Sequence, residues 1–449
     1  MEAPERARAP KTSPARKNIP APAVKNTVDD VYFLSRRAEE VNASRPPVQP
    51  RKSQWRIMVT SEFSILHHYD TIFTEGVFRV ENAALANVFR SLSAPAPVRV
   101  LVVVERQLLA LYPDLPGEIT SYCGHYPDVL IAAAPPVPVD GGEAAKDMAV
   151  VMELCRLLLQ ARMCRQSCLV IVGGGALLDA AGFAAAIFHR GIRQVRIPTT
   201  ALAQCDSGVG VKNAVNAFGK KNLLGTFAPP LAVLNDSRFL RTLPPRQIAE
   251  AAAEAVKVAM IKDADFFAFL QEQATAIMAG DAAAQQAMVR RSAELHVRHI
   301  ATNGDPFEWG SARPLDFGHW AAHKLEMLSA NRLSHGVAVG MGLLIDTQYA
   351  VLCGMLPEAV FQALKEVLAA FQLPFCSGPL EQRDRQGRRD VFAGLDEFRE
   401  HLGGRLHITL PTAIGQKIEV TEIDGERMEQ AIAALIADCG DERPRSGQA

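Results

Sequence analysis

Between Arg313 and Gly336 the chain reads RPLDFGHWAAHKLEMLSANRLSHG. Three histidines crowd into this stretch, His319, His323 and His335, with Asp316 just ahead of them. His319 and His323 are four apart, so a helix places them on one face. His335 follows in a second segment that ends in Gly336. A carboxylate with two or three imidazoles makes a divalent-metal site, and zinc is the usual ion for that donor set. Glu254 and Lys257 lie upstream in AEAAAEAVKVAMI, an alanine-rich helix whose composition predicts burial. One turn apart, they could simply pair. A carboxylate on an apolar face needs some partner, however, and a metal is one. Glu254 is therefore the best upstream carboxylate to join His319 and His335.

A second cluster lies in LAQCDSGVGVKNAVNAFGKKNLLGTFAPP, residues 202–230. Asp206, Lys212, Lys221 and Asn222 are spaced among small residues, which reads as a flexible loop. Lysines supply charge to a phosphorylated substrate, and glycines let the backbone close in on it. Arg190, before Gly191, offers another cation. Each lysine taken alone is also what any solvated surface presents.

A third group suits a nucleotide. Gly173, Gly174 and Gly175 end an apolar strand and open a helix, where backbone N–H groups approach a phosphate. The triplet is not GxGxxG, so the usual Rossmann fingerprint is absent. A tight strand–helix turn uses glycine as well, and both readings stand. Asp179 is four residues on. Glu105 ends the strand VLVVVE, a position where a ribose hydroxyl is often held and equally a solvated strand end. Glu143 and Lys146 sit at a helix start, and Thr199 and Thr200 follow another strand end.

The elements that must position these residues alternate through the first half of the chain. RIMVTSEF, RVLVVVE, DVLIAAAP, CLVIV, QVRIPTT and LAVLND read as strands, and helical patterns separate several of them. GGEAAKDMAVVMELCRLLLQARM reads as one long amphipathic helix. This order predicts a parallel, doubly wound α/β domain over 51–240. Strand signals then nearly vanish, which predicts an all-α domain over 241–440. Residues 1–50, rich in Pro, Ala, Lys and Arg, are expected to be a disordered basic arm containing one short helix. Residues 441–449 form a polar tail.

Composition narrows the function. The apolar fraction of 48 % suits a globular protein with a large core. A net charge of −1 gives no electrostatic case for a nucleic-acid or anionic-membrane partner. No apolar stretch is long enough to span a bilayer. The N-terminus lacks the apolar segment of a secretory signal, so a cytoplasmic protein is expected. The eight cysteines are scattered without a CxxC pair, and Cys164 and Cys168 run straight into CLVIV, so reduced thiols are expected.

GGGALLDAAGF, RGIRQVRIPTT, DSGVGVK, GKKN, LPPRQIAEAAAEAVK, DFGHWAAHKLE and the final HG occur in order over roughly residues 55–425. Together they resemble the dehydroquinate synthase-like sugar phosphate cyclases. The resemblance implies an N-terminal α/β NAD-binding domain and a helical C-terminal metal domain, with the active site in the cleft between them. It also implies a homodimer, NAD as cofactor, and a divalent metal, usually zinc and sometimes cobalt. On the matching positions it assigns the metal to Glu254, His319 and His335. It assigns substrate and phosphate contacts to Lys212, Lys221, Asn222, Lys257 and Arg190, with His323 as a second active-site histidine. Asp206 would contact both substrate and nicotinamide. The glycine turn, Glu105, Glu143, Lys146, Asp179, Thr199, Thr200 and Lys221 would line the cofactor. The implied reaction oxidises a ring hydroxyl transiently, eliminates phosphate, returns the hydride and closes a carbocycle by intramolecular aldol addition.

Departures from the family pattern select among its substrates. Dehydroquinate synthases carry Arg and Asn where this chain has Ala312 and Asp316. Exchanging a cation for alanine and an amide for an acid removes the partners of a substrate carboxylate and adds repulsion. The segment GDPFEWGSARPLDFGHW and the later DEFREHLGGRLHITLPTAIG are similar to the sedoheptulose 7-phosphate cyclases of the 2-epi-5-epi-valiolone synthase type. Relatives usually have Glu two residues after the last metal histidine. Val337 stands there, which takes one carboxylate from the surroundings of His335. Arg298 stands near a family lysine and could hold an anionic group. The competing readings are a 3-dehydroquinate synthase and a metal- and NAD-dependent polyol dehydrogenase of the same two-part plan. Against the second stand the lysines, which an alcohol without phosphate would not need.

Overall fold

The computed structural model describes residues 61–92, 96–302, 305–307, 314–376, 378–401 and 404–442. The expected N-terminal arm, Ala312 and nearly all of the polar tail lie outside them. The first half runs β1 (Asp70–Thr74), α1 (Ala84–Arg90), β2 (Val98–Glu105), α2 (Arg106–Leu111), α3 (Leu115–His125), β3 (Leu130–Ala132), β4 (Val137–Val139) and α4 (Met148–Gln160). It continues with β5 (Cys168–Gly173), α5 (Gly175–Ile187), β6 (Arg193–Pro198), β7 (Lys212–Ala217), β8 (Lys220–Phe227) and β9 (Ala232–Asp236).

Seven strands form one sheet in the order β1-β9-β6-β5-β2-β3, with β4 beside the C-terminal half of β2. All its pairings are parallel. Strand β2 shows how the sequence builds the layers. Val100, Val102 and Val104 enter one core with α1 and α3, while Leu101 and Val103 enter another with α4 and α5. Alternate residues of a strand face opposite ways, so an uninterrupted apolar run feeds helices on both faces.

The second half runs α6 (Pro245–Lys262), α7 (Ala264–Met278), α8 (Ala282–Thr302), α9 (His319–Leu328), α10 (His335–Leu352), α11 (Glu358–Ala370) and α12 (Ala393–His401), then β10 (Ile408–Ala413), β11 (Gln416–Val420) and α13 (Gly425–Glu442). The helical expectation holds, with the addition of the antiparallel hairpin β10–β11. Helix α6 is buried from Ala251 through Ile261 and forms the centre of the helical core. Its many alanines let neighbouring helices come close.

Several local expectations need correction. The strand expected at 56–63 lies mostly outside the described residues, and its end, residues 61–63, is irregular; the first strand is Asp70–Thr74. The long helix expected from Gly141 begins only at Met148, where the Asp147 carboxylate accepts from the Ala149 N–H and caps it. Glu143 and Lys146 therefore lie in and just after a 3₁₀ turn ahead of that helix. The segment read as a flexible loop contains a π-helical turn, Ala203–Ser207, and the antiparallel hairpin β7–β8. Phe218 and Gly219, both at positive φ, make its tight turn. Cys123, Cys155, Cys164, Cys168, Cys205 and Cys353 are free thiols, but Cys376 is disulfide-bonded. Among the described residues no helix is long and apolar enough to cross a membrane.

Candidate active site

Helices α6, α9 and α10 carry the metal candidates, and three glycines permit their approach. Gly336 is the second residue of α10, and a Cβ there would lie 2.3 Å from the Glu250 carbonyl oxygen of α6. Only glycine lets His335 settle over the helix that holds Glu254. Gly318, at φ +77°, turns the chain into α9, and a Cβ on Gly342 would fall 2.0 Å from its carbonyl oxygen. Asp346 completes the arrangement from α10. Its carboxylate accepts from the Gly318 N–H at 2.9 Å and from Trp320 Nε1 at 2.7 Å, the residues on either side of His319. Burial raises Asp346 to about 7, against the pull of those two donors.

Glu254, His319 and His335 present ligand atoms that all lie within 4.8 Å of one another. Glu254 Oε1 is 3.1 Å from His335 Nε2 and 3.6 Å from His319 Nε2. Donors bound tetrahedrally to zinc at about 2.05 Å lie roughly 3.3 Å apart, so this spacing fits one ion. Lys257 Nζ sits 2.5 Å from Glu254 Oε2, yet that oxygen makes no hydrogen bond in good geometry. The other oxygen, Oε1, is the one turned toward both imidazoles and placed to share a cation with them. Burial opposes ionisation of Glu254, but Lys257 and the two imidazoles hold its carboxyl well below the usual range.

Around this group the charges alternate. Lys257, fully enclosed, also lies 3.8 Å from Asp206 Oδ1. Burial would lower its ammonium, but Asp206 and Glu254 keep it above its ordinary value. Asp206, in the π-helical turn, accepts from His296 Nδ1 at 2.8 Å. The other face of His335 meets a second carboxylate, with Nδ1 3.2 Å from Glu326 Oε2. Glu326 Oε1 accepts from Lys221 Nζ at 2.9 Å, and Lys221 lies 3.7 Å from Glu143. Burial acts to lower His335, yet its bonds to Glu254 and Glu326 raise it to about 10. Burial and the neighbouring His319 and His335 depress His323 to about 3, leaving a neutral ring. His323, Glu326 and His335 form a second, overlapping group of possible ligands.

Other expected residues fall in different places. Asp316 is half-buried in a 3₁₀ turn, close enough for its charge to act on Lys257 and His323. Lys212 and Asn222 are exposed on the hairpin β7–β8, and the Asn222 N–H donates to Asn216 Oδ1 at 2.9 Å. Asn216 in turn donates to Glu143 Oε1 at 2.7 Å. Arg190 is not brought to the cluster within this chain. It is exposed beyond the C-terminus of α5, the end remote from the glycine turn. Arg298 is exposed on α8.

The nucleotide candidates assemble along the C-terminal edge of the sheet. The Gly174 N–H donates to Glu105 Oε2 at 2.6 Å, which orients that carboxylate at the start of α5. Gly173, Gly174 and Gly175 are crowded by Glu105, Thr200 and Ser207, so side chains there would fill the turn. The Thr199 N–H donates to the Gly173 carbonyl, and the Thr200 hydroxyl accepts from the Ala203 N–H. Asp179 is paired with Lys146 at 2.6 Å.

The chain matches the 3-dehydroquinate synthase N-terminal family over residues 136–250 and the 3-dehydroquinate synthase C-terminal family over residues 251–386. It belongs to the dehydroquinate synthase-like sugar phosphate cyclases. Among solved structures it is similar to 2-epi-5-epi-valiolone synthase from Streptomyces hygroscopicus subsp. jinggangensis 5008 with NAD+ and Zn2+ bound. That match has 28 % identity and a TM-score of 0.74, and covers 86 % of this chain and 100 % of the other. A 2-deoxy-scyllo-inosose synthase complexed with carbaglucose-6-phosphate, NAD+ and Co2+ shares the fold at 22 % identity and a TM-score of 0.66, over 82 % and 96 % of the two chains. A probable glycerol dehydrogenase from Sinorhizobium meliloti 1021 shares it at 18 % identity and a TM-score of 0.55, over 83 % and 98 %.

Four residues of this cyclase escaped sequence reasoning. His296, Glu326 and Asp346 meet their partners only across elements. Arg196 carried a signal, a charge inside the apolar strand β6. Fully buried, it donates to the carbonyls of Gly208, Gly210 and Lys212 and to Asn213 Oδ1. It thereby holds the segment between Asp206 and the hairpin.

Proposed function

We propose that this chain is an NAD- and divalent-metal-dependent cyclase that converts a heptulose 7-phosphate, sedoheptulose 7-phosphate, to a C7 cyclitol with release of inorganic phosphate. It would be a carbon–oxygen lyase, cytoplasmic and homodimeric, with residues 51–240 holding the cofactor and 241–440 the metal. The observation that carries this reading is the convergence of Glu254, His319 and His335 beside the buried Lys257 and its partner Asp206 in a chain of this family. Glu254, His319 and His335 would hold zinc or cobalt, and Glu105 with the turn Gly173–Gly175 would hold NAD. A bound divalent ion makes a ring hydroxyl more acidic, and NAD+ takes up and returns its hydride.

The chain's own residues supply orientation and charge. Lys257, kept ionised between two carboxylates, would face oxygen atoms of the sugar. Asp206, pinned by His296, would accept a hydroxyl proton in a hydrogen bond. His323, neutral and half-buried, would orient a further hydroxyl. Lys212 and Asn222 would face the phosphate. Asp316 supports a substrate with an uncharged hydroxymethyl group, because a carboxylate placed near it would be repelled.

The test uses purified full-length protein with NAD and zinc or cobalt. Phosphate should be released from sedoheptulose 7-phosphate without net NADH, and the product should be a cyclitol by NMR. Turnover restricted to 3-deoxy-heptulosonate 7-phosphate would replace this reading with a 3-dehydroquinate synthase. Steady NADH formation from a polyol would replace it with a dehydrogenase.

A further inference from the structure

Glu326 and Lys221, 105 positions apart in the chain, together form a support for His335. Glu326 is 4 % exposed on α9, on the same face as His319 and His323. One of its oxygens lies 3.2 Å from His335 Nδ1, and the other accepts from Lys221 Nζ at 2.9 Å. The opposite ring nitrogen, Nε2, faces Glu254. An imidazole that binds a metal through Nε2 must keep its proton on Nδ1, and a carboxylate there fixes the tautomer and the ring plane. Val337, two residues after His335 on α10, is a buried apolar side chain and offers no such acceptor.

We propose that Glu326 is the positioning residue for His335 and that Lys221 serves as its counter-ion. Glu326 reaches the ring from α9, a different helix from the one that carries His335. Lys221 acts on the metal centre through Glu326, a role distinct from the substrate and cofactor contacts implied by resemblance. A buried carboxylate without that ammonium would be costly. The lysine of β8 therefore keeps the acceptor charged and aimed at the ring. This inference rests on the metal reading of Glu254, His319 and His335.

The experiment measures zinc binding by calorimetry and the visible spectrum of the cobalt-loaded protein, without substrate. It compares the wild-type chain, Glu326→Gln, Lys221→Met, their double variant and Glu254→Gln. Circular dichroism and melting of the metal-free proteins check that each folds. Glu326→Gln should weaken zinc binding about 10- to 100-fold and shift the cobalt bands. Lys221→Met should weaken binding less. The double variant should match Glu326→Gln, which separates loss of the carboxylate from a clash between the new amide and the ammonium. Glu254→Gln should abolish binding. Unchanged affinity and spectrum in a folded Glu326→Gln protein would overturn the proposal, as would a loss as complete as that of Glu254→Gln, which would make Glu326 a ligand. A wild-type protein that binds no metal would remove the underlying reading and the proposal with it.

Discussion

Replacing Asp346 with asparagine should remove a pH dependence of stability that this one carboxyl imposes. The side chain is fully buried, and burial raises it from the ordinary value of about 3.9 to about 7. An acid whose pKa is higher in the folded state stabilises that state only while it is protonated. Its contribution is fully present below the unfolded value near pH 4 and is lost as pH rises to about 7. Each unit corresponds to about 1.4 kcal/mol, so between pH 5 and 7 the wild-type chain should lose roughly 2–3 kcal/mol relative to the variant. Asparagine keeps the shape and never ionises. Its single acceptor oxygen serves only one of the Trp320 and Gly318 donors well, which adds a pH-independent cost of about 1–3 kcal/mol. Urea unfolding of both proteins at pH 5, 6, 7 and 8, with chelator present, isolates the slope. The difference in stability, wild type minus variant, should fall by about 1.4 kcal/mol per unit and flatten above pH 7. A difference that stays constant from pH 5 to 7, or that rises, would refute the assignment of a raised pKa to this carboxyl.

Gly336→Ala forces a methyl to within 2.3 Å of the Glu250 carbonyl oxygen, so α10 must move off α6. Overpacking of this kind costs about 1–3 kcal/mol. The melting temperature of the metal-free protein should fall modestly and zinc affinity at least tenfold; an unchanged affinity would show that His335 does not depend on that approach. Arg196→Met leaves the Gly208, Gly210 and Lys212 carbonyls without their buried donor. At about 1.5–3 kcal/mol for a charge-assisted bond, it should destabilise the chain by at least about 3 kcal/mol. Hydrogen exchange should accelerate over residues 207–213, and uniform protection there would argue against the anchoring role.

Local periodicity carried most of the fold, because the sheet strands are buried on both sides and appear as apolar runs. The hairpin β7–β8 was hidden for a physical reason. KNAVNA and KKNLLGTF mix polar and apolar residues without a long apolar run, β8 is largely exposed, and the first positive-φ position of the turn is Phe218, ahead of Gly219, where Asn or Gly is the usual signal. Strand β1 escaped because DTIFT is short, and its register is set by β9 far along the chain. Arg190 shows a different limit. A basic residue before glycine looks the same in sequence wherever its turn lies, and only the direction of α5 shows that it points away from the glycine turn.

The metal candidates were legible from chemistry and their supports were not. Glu254, His319 and His335 advertise themselves, since imidazoles four apart and a carboxylate in an alanine helix are unusual outside a site. The groups that orient them are ordinary residues whose partners lie elsewhere in the chain. Lys221 and Glu326 are separated by 105 positions and Gly318 and Asp346 by 28. No spacing rule reaches across such gaps, because helix rules relate only neighbours on one helix. The absence of Glu at position 337 looked like a loss when judged along α10 alone. In three dimensions, the ring nitrogen facing away from Glu254 already has Glu326 beside it. Residues two apart on a helix do not face each other, so the carboxylate beside this ring has to come from another element, and here α9 provides it.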